Sequence, residues 1–88
     1  MTDWRLDFCK HLRGVRLRHK KWVQPRPEWD HDHCAACWKT FSERDAPDIQ
    51  HEGFATCEDY EKGADYDWVC EECFRELKDV MEWRIEPN

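Results

Sequence analysis

The sequence predicts a small α+β domain that needs more than its hydrophobic core to be stable. The chain has 88 residues, and domains of this length often depend on a disulfide, a metal ion or a partner chain. Apolar residues alternate in its first third and again before the second cysteine pair, and follow helical spacing near both ends. Two Cys-x-x-Cys pairs, Cys34/Cys37 and Cys70/Cys73, supply the four thiolates of a closed tetrahedral zinc site. We therefore expect bound Zn²⁺ to contribute directly to folding.

The composition is that of a highly charged chain with an aromatic core. Charged residues make up 39% of it and the mean hydropathy is -1.07, values that alone would favour disorder. Six Trp, four Phe and two Tyr residues argue for a folded core. No apolar run suits a signal peptide or a membrane span. We therefore expect a cytoplasmic protein whose six cysteines are reduced rather than paired in disulfides.

Charge is distributed unevenly along the chain. The formal net charge is -6, of which residues 1–27 carry +6 and residues 28–88 carry -12. This predicts a single zinc-binding domain, residues 1–88, in which a basic helix–strand segment packs on an acidic zinc-finger core. The alternative is that the two ends contact different partner surfaces. Acidic proteins bind nucleic acid poorly, since affinity depends on neutralising phosphates. We expect a protein partner instead, and the acidic charge favours a basic one.

The N-terminal segment is predicted to form a helix followed by a strand. Residues 3–13 place Trp4, Phe8 and Leu12 at helical spacing, which predicts an amphipathic helix that packs this apolar stripe on the core. Gly14 suits the position after the helix end. Residues 15–23 alternate between apolar and basic side chains, which is typical of a strand. The prolines of residues 24–27 end that strand.

The middle of the chain is predicted to turn and then form a hairpin. Trp38 and Phe41 are three residues apart, which predicts a short helical turn after Cys37. Residues 42–47 are typical of a polar loop. Residues 49–57 and 66–70 are expected to pair as a hairpin, joined by the acidic segment 58–65, which contains Gly63.

A helix is predicted to begin near Cys70. Glu71 and Glu72 would lie in its first turn, where carboxylates favour the helix dipole. The alternation of Trp83 and Ile85 with charged residues predicts a short strand after it. The expected apolar stripe of the helix is Phe74, Leu77, Val80 and Met81.

The order of these elements resembles the treble-clef zinc finger over residues 33–82. That fold has a ligand pair on a turn, then a hairpin, then a ligand pair at the start of a helix. Cys70 and Cys73 fit this position, because residues three apart in the first helical turn project to one side. Treble clefs serve many unrelated functions, so the resemblance implies a fold and a zinc ion but no activity.

A narrower resemblance rests on three segments, WDHDHCAACWKTF (29–41), HEGF (51–54) and WVCEECF (68–74). They are similar to a family of short uncharacterised bacterial proteins with a DHDHCxxCW…WxCxxCF pattern. This resemblance implies a zinc-binding protein of bacterial or phage origin.

Iron is the main alternative to zinc. Rubredoxins also bind iron with two Cys-x-x-Cys pairs at a similar separation, but glycine follows the second cysteine of their knuckles. Trp38 and Phe74 occupy those positions in this chain. We therefore favour zinc, although both metals accept four thiolates.

Three other residue sets suggest different chemistry. His31 and His33 lie in a DHDH motif that resembles ββα-metal nucleases, but the motif precedes the first cysteine pair and the final helix supplies no second His or Asn. Hydrogen bonding to the zinc turn is the simpler role. His51 and Cys57 could bind a second metal, although isolated cysteines such as Cys9 and Cys57 are usually small buried residues. A nucleic-acid-binding zinc finger would use the basic residues of the first strand, Arg16, Arg18, Lys20 and Lys21.

We therefore expect a non-enzymatic, zinc-binding protein-interaction module. Its size and charge suit an accessory subunit, an inhibitor or an immunity-type protein in bacteria or phage. In this interpretation zinc fixes the knuckle, hairpin and helix. The rigid frame then presents the acidic loop, residues 58–67 with Tyr60 and Tyr66, to the partner.

Overall fold

The computed structural model describes residues 3–86, in which two helices and two small mixed sheets enclose one core. The α+β class is confirmed. No helix within these residues is long and apolar enough to cross a membrane. The elements in chain order are α1 (Arg5–Cys9), a 3-10 turn (Lys10–Leu12), β1 (Arg16–Lys21), β2 (Asp32–His33), β3 (Thr40–Phe41), β4 (Ile49–Gln50), β5 (Glu52–Thr56), β6 (Trp68–Val69), α2 (Glu71–Met81) and β7 (Arg84–Ile85).

The larger sheet has the strand order β6-β5-β1-β7. The predicted hairpin is confirmed for β5 and β6, which pair antiparallel with Phe54 opposite Val69. The start of its expected first strand is wrong, because residues 49–50 form β4 and pair with β3 in the smaller sheet. Strand β1 runs antiparallel to β5, with Leu17 opposite Thr56. The predicted tail strand is β7, which pairs parallel with the start of β1. The N-terminal segment therefore lies in the middle of the sheet that leads to the second cysteine pair.

The smaller sheet has the strand order β2-β3-β4, and the first cysteine pair lies on the turn between β2 and β3. The helical turn expected after Cys37 is wrong. Thr40 and Phe41 instead form β3, which pairs antiparallel with β2. The Cys34 N–H donates to the Lys39 carbonyl at 2.7 Å, and the Trp38 N–H donates to the Cys34 carbonyl at 3.0 Å. These bonds reverse the direction of the chain between β2 and β3, so the residues after Cys37 continue as a strand and not as a helix.

The N-terminal helix differs from its prediction in length and in the face that it buries. Its α-helical part ends at Cys9, and the 3-10 turn that follows changes the angular spacing of the side chains. Cys9 and Leu12 are fully buried, whereas Trp4 and Phe8 are exposed. The predicted core stripe is therefore wrong at two of its three positions.

Helix α2 confirms its prediction closely. Cys70 is its N-cap, and Phe74, Leu77 and Met81 are buried, whereas Val80 is exposed. The Phe74 ring stacks on Phe54 of β5 with centroids 3.7 Å apart. This contact fixes α2 against the larger sheet and so positions the cysteines at its start.

One carboxylate fixes the connection between the two sheets. The indole N–H groups of Trp22 and Trp29 both donate to the same Asp32 oxygen at 2.9 Å. Burial raises the pKa of Asp32, although these two donors act in the opposite direction. Within the DHDH motif, Asp32 therefore forms hydrogen bonds to residues that precede it in the connection rather than to the cysteine turn.

Ion pairs join the basic N-terminal segment to acidic residues that follow it. Each such surface ion pair contributes roughly 0–1 kcal/mol to stability. Their main consequence here is that the paired side chains are less available to a binding partner. Three acidic-loop carboxylates are paired with β1 in the same chain. The pairs are Arg5–Glu76, Arg13–Glu82, Arg16–Asp59, Arg16–Glu86, Arg18–Glu58 and Lys20–Asp65.

Candidate metal centre

Four cysteine side chains converge between the small sheet and the start of α2. Cys34 and Cys37 lie on the turn between β2 and β3, and Cys70 and Cys73 lie at the N-terminus of α2. Their sulfur atoms are all within 4.8 Å of one another. Three of the cysteines are buried and Cys37 is half-buried. This group could hold a metal ion shielded from solvent on all sides except that of Cys37.

Backbone contacts align the two cysteine pairs. The Ala35 N–H donates to the Trp68 carbonyl at 2.8 Å, and Cys34 forms a parallel bridge with Trp68. The first turn is therefore attached to β6, the strand that leads directly into Cys70. This attachment brings Cys34 close to Cys70, which is 36 positions further along the chain.

The sulfur atoms accept backbone hydrogen bonds that favour thiolates. Cys34 Sγ accepts from the N–H groups of Ala36, Cys37 and Cys70 at 3.3–3.5 Å. Cys70 Sγ accepts from the Cys73 N–H at 3.4 Å. The side chains of Cys70 and Cys73 lower the pKa of Cys34, and the backbone donors lower that pKa further, whereas the Cys34 side chain raises the pKa of Cys70 to about 12 and also raises the pKa of Cys73. Such donors stabilise the charged form that binds metal.

The spacing of the sulfurs fits a tetrahedral ion. Zn–S bonds of about 2.3 Å place tetrahedral sulfurs roughly 3.8 Å apart. The Cys37 and Cys70 sulfurs are separated by 3.6 Å. A site of four soft thiolates suits Zn²⁺ or iron rather than Mg²⁺ or Ca²⁺.

The other two cysteines lie outside this group. Cys9 and Cys57 are both buried and free. Burial raises the pKa of Cys9 to about 11, and burial also raises the pKa of Cys57. Both thiols are therefore protonated at neutral pH, as expected of small buried residues.

Arg5 contacts the cysteine group from the N-terminal helix. Its Nη1 lies 3.5 Å from Cys73 Sγ and 2.8 Å from a Glu76 oxygen, and Asp3 binds Nη2. A guanidinium here offsets part of the negative charge of four thiolates. No sequence pattern predicts this contact, because Arg5 and Cys73 are 68 residues apart.

We expect Arg5→Ala to weaken metal binding by the four cysteines about tenfold, the lower end of the range for groups that support metal ligands. Arg5→Lys should recover part of the loss, because it keeps the positive charge. The measurement is competition for Zn²⁺ against a chromophoric chelator at fixed pH. Arg13→Ala is the control, since Arg13 forms an exposed ion pair with Glu82. Equal losses in the Arg5 and Arg13 variants would contradict a specific role for Arg5.

The histidines considered in the sequence do not join the cysteine group. His31 Nδ1 lies 2.7 Å from Asp30, and His51 Nε2 lies 2.7 Å from the Arg44 carbonyl. The His33 ring stacks on Trp38 with centroids 4.5 Å apart. Within residues 3–86, none of these histidines belongs to a group of three or more potential metal ligands. Cys57 belongs to no such group in this part of the chain either.

An aromatic groove lies beside the cysteine turn. Trp4 and Phe8 of the N-terminal helix, together with Ala36 and Trp38 of the turn, line a largely apolar cavity of about 440 Å³. Trp4 and Phe8 contact each other edge to face at 5.8 Å. Helical spacing had placed Trp4 and Phe8 in the core, and the sequence feature that marks this groove is Trp38 at the position after Cys37.

Comparison of the chain with protein-family models, with curated proteins and with solved structures gives no significant match.

Proposed function

We propose that the protein is a non-enzymatic zinc-binding module that docks a protein partner in the aromatic groove formed by Trp4, Phe8, Ala36 and Trp38. Zinc would be held by the four cysteines, Cys34, Cys37, Cys70 and Cys73. Such a module suits an accessory subunit, an inhibitor or an immunity-type protein in bacteria or phage. The exposed aromatic groove beside the metal centre is the observation that carries this proposal.

The element order supports a treble-clef arrangement. The first cysteine pair lies on a turn between β2 and β3, the β5–β6 hairpin follows, and the second pair lies at the start of α2. Zinc is favoured over iron by the bulky residues after each pair, Trp38 and Phe74. In this arrangement the metal fixes the angle between the turn and α2, and thereby the position of Trp38.

Trp38 combines high exposure with an unfavourable backbone conformation. Its side chain is 68% exposed and its φ is +75°. For a bulky residue that conformation costs about 1–2 kcal/mol, and strain of this kind concentrates at functional sites. Glycine would adopt it without strain. The tryptophan therefore lowers stability at this position while enlarging the exposed apolar surface.

Trp4 and Phe8 extend the same surface, since they are 59% and 61% exposed. Tryptophan and other aromatic residues dominate binding energy in many interfaces because they bury a large area with few rotatable bonds. A cavity of about 440 Å³ lies within the size range of pockets that enclose a ligand group. The groove can therefore accept apolar side chains from another protein.

Charge specifies the partner further. The net charge of -6 becomes about -8 when zinc binds four thiolates. We infer a partner surface that presents apolar anchor side chains among lysines and arginines, because such a surface would be attracted electrostatically. The acidic loop is a weaker docking surface than the sequence suggested. Its residues Glu58, Asp59 and Asp65 are paired with β1.

The same ion pairs weigh against nucleic acid as the partner. Arg16, Arg18 and Lys20 each face a carboxylate of the acidic loop at 2.7–3.6 Å. Phosphates would have to displace these carboxylates before they could bind β1.

The test is affinity purification of the zinc-loaded, tagged protein from its native host, with variants that alter the groove. Trp38→Ser removes the aromatic ring that the cysteine turn contributes to the groove, and the double variant Trp4→Ser/Phe8→Ser removes the two rings from the N-terminal segment. Val23→Ser is the matched control, because Val23 is 61% exposed and does not line the groove. We expect one stoichiometric protein with the wild type and with Val23→Ser, and its loss with both groove variants. The purified partner should then rebind the wild type at 1:1 stoichiometry.

Other outcomes would overturn the proposal. A partner that both groove variants retain would place the interface elsewhere. Concentration-dependent self-association that Trp38→Ser abolishes, measured by light scattering, would identify a second copy of this chain as the occupant. Recovery of the protein alone, or with nucleic acid, would leave the interaction module without support.

A further inference from the structure

A second group of potential metal ligands lies on the larger sheet, outside the cysteine centre. His19 of β1, Glu52 of β5 and Glu71 of α2 each place one ligand atom within 4.8 Å of the other two. We propose that these three residues form a second, exchangeable site for a divalent cation such as Mn²⁺, Fe²⁺ or Zn²⁺. One imidazole nitrogen and two carboxylate oxygens are ligands that this class of ion prefers.

The strand register builds two sides of the site. His19 lies opposite Phe54 and Lys21 lies opposite Glu52 in the antiparallel β1–β5 pair. His19 and Glu52 are therefore diagonal neighbours on one face of the sheet, within reach of long side chains. The His19 ring contacts the Phe54 ring edge to face at 5.0 Å, which restricts its rotation.

Helix α2 supplies the third ligand. Its first residue is Glu71, and the stacking of Phe74 on Phe54 holds the helix over β5. His19 Nε2 lies 3.4 Å from a Glu71 oxygen. Three separate elements thus converge at one point, and a bound cation would connect the start of α2 to both central strands.

The local charges define how tightly the site can bind. Glu52 and Glu71 bring two like charges together, and a cation between them relieves their repulsion. The positive charge of Lys21, which lies opposite Glu52, disfavours cation binding. The positive end of the α2 dipole has the same effect. His19 is half-buried and both carboxylates are exposed, so water or a partner's group can fill the other coordination positions. These features predict weak, exchangeable binding rather than a closed structural site.

Mn²⁺ is the probe that separates this site from the cysteine centre. It prefers oxygen ligands and competes poorly for four thiolates, so zinc stays bound to the cysteines during the titration. Free Mn²⁺ is measured from its electron paramagnetic resonance signal as the zinc-loaded protein is titrated. We expect one Mn²⁺ to bind per chain below about 1 mM, the range of weak exposed carboxylate sites.

Glu52→Gln is the decisive variant. It keeps the shape of the side chain and leaves the contact between His19 and Glu71 intact, and we expect it to raise the Mn²⁺ dissociation constant at least tenfold. Glu71→Gln and His19→Ala should have effects of similar size. Glu61→Gln and His51→Ala are matched controls from outside the group and should bind as the wild type does. Circular dichroism and zinc content confirm that each variant is folded.

Two results would overturn the site. If Glu52→Gln binds Mn²⁺ as the wild type does, the group is only a His19–Glu71 contact beside an unrelated carboxylate. If the wild type binds no Mn²⁺ below about 1 mM, or if the two controls lose affinity as much as the site variants, no specific cation site exists.

Discussion

Cys34→Ser is expected to leave the protein without zinc and unfolded at 25 °C. Cys34 is fully buried and its sulfur accepts three backbone hydrogen bonds that join both halves of the metal centre. Zinc contributes about 10–16 kcal/mol in small zinc domains. The total stability of a folded domain is only about 5–15 kcal/mol. Loss of the zinc ion therefore removes about as much free energy as a domain of this size has in total.

The measurement combines metal content with circular dichroism and thermal unfolding. Cys57→Ser is the matched control, because Cys57 is equally buried but lies outside the cysteine group. It should keep one zinc per chain and lose about 1–2 kcal/mol, the cost of burying a hydroxyl without a good partner. Removal of zinc from the wild type by a chelator should unfold it as Cys34→Ser does. A Cys34→Ser protein that folds normally without metal would refute the structural metal site.

The parts of the fold that the sequence predicted are those with a strong local signal. Helix α2 has a capping residue, acidic side chains in its first turn and a regular apolar stripe, and its bounds and most of its buried face agree with expectation. The β5–β6 hairpin joins two segments of strand composition across a loop with Gly63 at φ +97°. The four clustered cysteines were recognisable because ligand spacing within each pair is itself local.

The parts that were missed depend on contacts between distant residues. Strands β2, β3 and β4 have two residues each, which is too short for any alternation to be visible. The Trp4–Phe8 spacing cannot distinguish an apolar face that packs on the core from one that is exposed. The uneven charge suggested that the ends of the chain interact, but which β1 cation meets which carboxylate follows only from the β1–β5 register.

The second large effect is expected from Gly53→Ala in β5. An added Cβ atom at Gly53 would lie 2.7 Å and 2.9 Å from the Phe41 ring and 2.8 Å from the Val69 carbonyl oxygen. Phe41 is fully buried, and the Val69 carbonyl belongs to the backbone of β6, so neither neighbour can move freely. Overpacking of this kind costs about 1–3 kcal/mol and occasionally more. We expect about 3 kcal/mol, which lowers the melting temperature by more than about 10 °C in a domain of this size.

Gly63→Ala is the control that separates crowding from loss of glycine flexibility. Gly63 has a φ of +97° and open space around its Cα atom, so alanine there meets backbone strain but no clash. That strain should cost about 1–2 kcal/mol. If Gly63→Ala destabilises the protein as much as Gly53→Ala, the close packing of β5 against Phe41 and β6 is not the cause.

Gly53→Ala also tests whether the sheet and the metal centre fold as one unit. Val69 directly precedes Cys70, so displacement of β6 by the added methyl group would move a metal ligand. We expect zinc affinity to fall together with the melting temperature, with zinc release and loss of helical signal in a single thermal transition. Zinc that stays bound after the sheet has melted would show instead that the two cysteine pairs form an independent unit. In that case the metal would position the aromatic groove without help from the larger sheet.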